Sequence, residues 1–340
     1  MLTVGNFRYS LERIGFHIPL LHDWLAERDD LRRKRSALED ELRLAHAEIK
    51  ANEEMKKALF VPPGHHYSPI PSVAEMKAKH SNIFENVPRE VEGIDLNEKH
   101  QLQLLDQFRK WYDEQPFVAK KTAGRRYYFE NPNYSYADGL VLYFMMRYFQ
   151  PRRIIEVGSG HSSCAMLDVN AAFFGNSIEF SFIEPYPALL LSLLEESDKP
   201  HVRLYDRNVQ EVELAVFKEL QPGDILFIDS SHVSKTGSDV NYLLFKVFPE
   251  LQRGVHIHFH DIFHGFEYPS EWAYEGRAWN EDYVLRAFLS HNRAYRIEFF
   301  TSYIMEYFRE QFETHFPLMM KNSGGGLWLT KVGDGSSPKI

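Results

Sequence analysis

From Arg125 onward the chain alternates short β-rich runs with helical segments, and this alternation limits its fold more than any other feature. RRIIEVGSG, IEFSFIEP, HVRLYD, DILFID and VHIHFHD are strand-like, with helices expected over Tyr136–Phe149, Ser162–Asn170, Pro187–Ser197 and Asp239–Leu251. Two more strand-like runs, RIEFFTSY and LWLTKV, follow, the last after Gly324-Gly325-Gly326. Apolar strands linked by helices are buried on both faces. The expectation is therefore an α/β, doubly wound, mostly parallel sheet. With 44% hydrophobic residues in 340, the chain has apolar surface for such a core and too much for a disordered polymer.

The N-terminal part has a different texture. Between Ala26 and Leu59 there is no Gly or Pro and charge of both signs is dense, with Leu31, Leu38, Leu42, Ala45 and Ile49 forming a helical stripe. Residues 1–60 are thus expected to form a helical extension, packed on its own domain or joined to a second copy as a short coiled coil. PPGHHYSPIPS, residues 62–72, interrupts it, because proline supplies no backbone donor. Residues 61–120 read as a proline-rich loop and helical linker or cap, with one helix around Gln101–Glu114, and residues 121–335 as the α/β domain.

Lys and Arg number 39 against 48 Asp and Glu, a net charge of −9. That balance argues against a broad nucleic-acid or membrane-surface footprint. The single cysteine, Cys164, excludes an intrachain disulfide and suits a reducing compartment. No basic start followed by an apolar stretch opens the sequence, and no run of ~18 apolar residues offers a membrane span. A cytoplasmic protein with a small-molecule partner is expected.

In doubly wound sheets, ligands bind beyond the carboxyl ends of the strands. Glu156-Val157-Gly158-Ser159-Gly160 lies there, followed by His161-Ser162-Ser163 at a helix start. A dinucleotide fingerprint would place a third glycine at Ser163, so a pyrophosphate ligand is disfavoured. Glu156 before the turn can hold an ammonium group, and Glu184, ending the second strand, can accept from both hydroxyls of a ribose. Together they suit a cationic nucleoside without phosphate. On the same rim come Asp229 and His232 after the fourth strand, and His260 and Asp261 at the end of the fifth. His256, His258 and His260 share one strand face, but only His260 and Asp261 reach the rim. Carboxylates on adjacent strand ends repel unless a cation lies between them, which points to a metal.

EVGSGHSS followed by FIEP resembles the S-adenosylmethionine site of class I methyltransferases, which implies a Rossmann-like sheet with an antiparallel last strand. The resemblance implies that Gly158 and Gly160 face the cofactor, with Ser162 beside them. It places Glu184 on the ribose, Glu156 near the methionine end and Val209 near the adenine. The pair Asp229 and His232 resembles metal-dependent small-molecule O-methyltransferases of the macrolide-sugar and catechol types, with Asp229 then a metal ligand and His232 the general base. Their second metal pair is Asp-Asn or Glu-Asp, whereas His260-Asp261 stands here; an imidazole shifts the expected divalent ion from Mg²⁺ toward Mn²⁺, Fe²⁺ or Zn²⁺. The expected acceptor is a hydroxyl of a sugar or glycosylated metabolite. From Phe263 to Tyr283 seven of twenty-one residues are aromatic, expected to form a lid in which Trp272 and Trp279 touch substrate. Two other readings keep the same fold: a non-catalytic binding or assembly module, and an oxidoreductase with His/Asp-bound iron.

Overall fold

A computed structural model of the chain describes residues 19–333. The first 18 residues of the expected extension, and the end of the expected α/β domain at 334–335, lie outside the described residues. The chain divides into two units, Met1–Pro69 and Ile70–Ile340. In the first, an uninterrupted α-helix of 40 residues runs Pro19–Ala58, beginning earlier than the Ala26 expected. Its leucines do not pack into a core: Leu31, Leu38, Leu42 and Ile49 are each more than half exposed.

The second unit is built on a seven-stranded sheet. Its strands are β1 (Arg153–Val157), β2 (Glu179–Ile183), β3 (Val202–Tyr205), β4 (Ile225–Ile228), β5 (His256–His260), β6 (Tyr295–Phe300) and β7 (Gly326–Lys331). They lie in the order β3-β2-β1-β4-β5-β7-β6. All pairs through β5 are parallel, and β7 runs antiparallel to both β5 and β6. The mostly parallel α/β architecture is as the alternating pattern predicts, and the antiparallel last strand is as the family resemblance implies. Every residue of β4 is buried, and each large apolar side chain so placed contributes about 1.5–3 kcal/mol.

Helices cover the sheet where the sequence is apolar. Tyr136–Phe149 buries ten of its fourteen residues, and His161–Phe173 packs beside it. Cys164 lies inside the latter, where burial pushes its thiol up to about 12; it is a packing residue. Residues from Ile70 to 120 fall within the second unit. The helix Glu98–Trp111 buries Leu104, Leu105 and Phe108 at helical spacing, and Phe108 stacks on Phe144 at 4.8 Å.

Ladder hydrogen bonds continue past the strands and align the functional rim. Gly158 N donates to Ile183 O at 3.0 Å, Glu184 N to Tyr205 O at 3.0 Å, and Asp229 N to Val157 O at 2.8 Å. Residues at the ends of β1, β2 and β4 therefore stand in one row. Among the described residues, no helix is long and apolar enough to cross a membrane.

Candidate active site

Gly158 has φ +82°, and a Cβ there would lie 1.7 Å from the carbonyl oxygen of Asp229. Only glycine allows β1 to turn this close to the end of β4. Behind the turn Glu156 is fully buried: Ser162 Oγ donates to its Oε1 at 2.5 Å and Ser163 Oγ to its Oε2. Burial pushes this carboxyl up to about 8, against the hydroxyls that favour its charge. The group expected at the methionine end thus has both oxygens engaged with the helix start.

Glu184 is only half-buried, and it accepts from Ser159 N at 3.2 Å and Tyr186 N at 2.8 Å. Gly160 is open, a Cβ there meeting only Leu189 at 3.5 Å. The hydroxyl of Ser159 and Nδ1 of His161 are buried without a partner among the described residues. Free donors beside an accessible carboxylate fit a polar nucleoside ligand. Val209 begins a 3₁₀ turn beyond β3 and is itself buried.

The second constellation converges. Donor atoms of Asp229, His260 and Asp261 all lie within 4.8 Å of one another. Nδ1 of His260 is 3.4 Å from Asp229 Oδ1 and 3.6 Å from Asp261 Oδ1. Neither ring nitrogen of this buried histidine has a hydrogen-bond partner among the described residues. One imidazole and two carboxylates whose donor atoms converge in this way fit a divalent transition metal. The charges are tightly coupled. Burial works against the charge on Asp229, but His260 and His232 outweigh it and hold the carboxyl well below its usual range. Burial likewise opposes the charge on His260, yet Asp229 and Asp261 raise its pKa well above the ordinary value. At Asp261 burial prevails and raises the carboxyl.

His232 is buried, with φ +58°. Its carbonyl accepts from Asn280 N and Glu281 N at the start of the helix Glu281–Leu289. Its Nδ1 meets Glu281 Oε2 at 2.9 Å, which leaves Nε2 3.4 Å from Asp229 and 3.8 Å from Asp261. Burial disfavours the imidazolium, but Asp229 and Glu281 outweigh it and bring the pKa up to about 10.

Two carboxylates of this cluster were not read from the sequence. Glu281 fixes His232, and Asp138 lies 3.7 Å from Nε2 of His260 while accepting from Gly325 N at 3.1 Å. Asp138 had a legible signal, an acid in the first turn of an otherwise apolar helix. The triple glycine carried another: a Cβ at Gly324 would lie 2.1 Å from Asp138, and Asp261 N donates to Gly325 O at 2.7 Å. His256 and His258 stay out of the rim. His256 stacks on Phe149 and bonds Thr330, and His258 lies between Phe227 and Trp328.

A cavity of about 880 Å³ opens over Asp229, His232, His260 and Asp261, bounded in part by Trp272 and Trp279. The two indoles meet edge to face at 5.5 Å, and the Arg277 guanidinium stacks on both. Trp279 also packs on the His232 ring at 4.4 Å.

Residues 155–262 match a family model described as a methyltransferase domain. An uncharacterized protein of Archaeoglobus fulgidus is 35% identical over 183 residues, 52% of this chain and 81% of the archaeal protein. Among solved structures, the O-methyltransferase TomG from Streptomyces achromogenes, in complex with S-adenosylmethionine, shares 14% identity. The match covers 76% of this chain and 96% of that one, with a TM-score of 0.39. The methyltransferase PaMTH1 of Podospora anserina, bound to S-adenosylhomocysteine, shares 14% over 81% and 99%, with a TM-score of 0.36. Likenesses this distant carry no argument about substrate.

Proposed function

We propose that the chain, whose residues 155–262 match a methyltransferase-domain family model, is a class I S-adenosylmethionine-dependent methyltransferase, and within that class a metal-assisted O-methyltransferase acting on a small molecule. The acceptor is a hydroxyl of a sugar or glycosylated metabolite. The observation that carries this reading is the convergence of Asp229, His260 and Asp261 with Nε2 of His232 3.4 Å from Asp229. When bound, S-adenosylmethionine supplies an electrophilic methyl group, and a divalent ion on Asp229, His260 and Asp261 supplies Lewis-acid stabilisation of a deprotonated oxygen.

The chain's own residues do the rest. Glu184 accepts hydrogen bonds from the ribose hydroxyls, while the Gly158–Gly160 backbone and Ser159 border the cofactor. Glu156, engaged by Ser162 and Ser163, holds the turn in shape. Val209, buried, backs the adenine end. His232 takes the hydroxyl proton on Nε2, with its Nδ1–H directed at Glu281. A histidine brought up to about 10 by its neighbours is cationic at pH 7. The base role therefore requires the charge of Asp229 to be offset, and Asp229 is one of the carboxylates assigned to the ion. Trp272 and Trp279 wall the cavity, exclude water and align the acceptor.

The test is incubation of a metabolite extract with the protein and methyl-labelled S-adenosylmethionine, with and without a chelator, followed by mass spectrometry. Labelled methyl on an oxygen of a glycosylated product, lost on chelation, is expected. Label on nitrogen or carbon contradicts O-methylation. Oxygen-dependent turnover with Fe²⁺ and no label transfer would favour the oxidoreductase reading instead.

A further inference from the structure

The helix Pro19–Ala58 presents an apolar seam at heptad spacing whose large apolar side chains are open to solvent. Trp24, Leu31 and Leu38 recur every seventh residue, and Leu42 and Ile49 complete the seam, all of them more than half exposed. Continuing the same repeat, Arg28 and Arg35 precede Leu42 and Ile49 in one column, and Ala45 follows Leu38 in the other. Charge is blocked along this helix. Arg32, Arg33, Lys34 and Arg35 form a basic run, and Glu39, Asp40 and Glu41 an acidic one after the three residues Ser36-Ala37-Leu38.

We propose that a second copy of this chain covers the seam as an antiparallel helix, with the two-fold axis between Ser36 and Ala37. In that register Leu31 of one copy stands level with Leu42 of the other, and Trp24 with Ile49. The basic run of each copy then lies against the acidic run of its partner. Flanking the seam, Arg32 faces Glu39 of the second copy and Lys34 faces Glu41. The two seam arginines decide the direction. Antiparallel packing sets Arg35 against Leu38 and Arg28 against Ala45, so each long stem covers an apolar neighbour while its guanidinium reaches water. Parallel packing in register sets Arg28 on Arg28 and Arg35 on Arg35, and lays each basic run beside its own copy. Existing pairs within the helix, such as Asp30–Lys34 at 2.8 Å and Arg35–Glu39 at 3.3 Å, are solvent-exposed, and such pairs contribute little alone.

Two measurements on the full chain test this. Cys164 is buried, so a spin label on Ala26→Cys reports the helix selectively by pulsed dipolar spectroscopy. Ala26 is level with Ala47 of the second copy in the antiparallel register, which separates the two labels by about 32 Å along the axis. In the parallel arrangement they lie about 10 Å apart plus the label arms. Sedimentation supplies the second readout. The acidic variant Arg32→Glu/Lys34→Glu and the basic variant Glu39→Lys/Glu41→Lys should each dimerise at least about tenfold more weakly than the native chain, while their equimolar mixture regains a dimer. A native chain that is monomeric at tens of micromolar overturns the proposal. So does a mixture no tighter than either variant, or a label separation near the parallel value.

Discussion

Asp138 approaches His260 from the side opposite Asp229 and Asp261, 3.7 Å from Nε2. A carboxylate there orients the imidazole so that Nδ1 faces Asp229 and Asp261, the arrangement that raises the basicity of a metal-bound histidine. Asp138→Asn is expected to weaken divalent-ion binding by about 10–100-fold while leaving S-adenosylmethionine affinity unchanged, as calorimetry of each ligand would show. His232→Ala should lower methyl transfer by about 10²–10⁴ with cofactor binding intact; full activity in that variant would remove His232 from the base role. Gly158→Ala puts a methyl group onto the Asp229 carbonyl. A loss of about 2 kcal/mol or more in denaturant unfolding is expected, together with weaker cofactor binding. Asp229, His232, His260 and Asp261 were readable because each sits at or just past a strand end, where periodicity alone fixes the rim. Asp138 and Glu281 were harder because they come from helix starts distant in sequence, and only packing brings them to the histidines they face.

Elements are tied together by charges at their ends. Arg126 bonds Asp198 through Nε at 2.8 Å and a terminal nitrogen at 2.6 Å, and reaches Asp168 at 2.9 Å. It joins the segment before the Tyr136–Phe149 helix to the His161–Phe173 helix and to the turn ahead of β3. Arg126→Ala strands two buried carboxylates and should cost about 3–5 kcal/mol, measurable by denaturant unfolding. On β5, burial lowers His256 from 6.5 to about 4. Its folded pKa lies below the unfolded one, so the folded state binds fewer protons. Stability is full above pH 6.5 and declines as the pH falls toward 4, by up to about 3 kcal/mol. His256→Gln should flatten that part of the stability–pH curve; an unchanged slope would assign it to other groups. The strands and most helices were legible because apolar runs end in glycine, proline or acid. The helix Glu98–Trp111 was expected within a linker, since its apolar spacing says that it packs but not on what. Its partners, Phe144 and Phe299, lie far along the chain.

At the scale of the whole molecule, the sheet order brings Gly158, Glu184, Asp229, His260 and Asp261, from four strand ends, to one edge. The same edge receives Asp138, Glu281 and the two tryptophans from segments outside the strands. The concentrated aromatic segment after β5 thereby lies beside the acidic cluster, where its tryptophans wall the cavity instead of filling the core. In the proposed enzyme a cofactor groove and a cation site share one rim. The most direct measurement is a calorimetric titration of Mn²⁺ into the full chain saturated with S-adenosylmethionine, repeated with Asp229→Ala/Asp261→Ala. One saturable ion per chain is predicted, with affinity at least about 100-fold weaker in the variant, which still binds S-adenosylmethionine. Saturable Mn²⁺ binding that is the same in both proteins, or none in either, would contradict it.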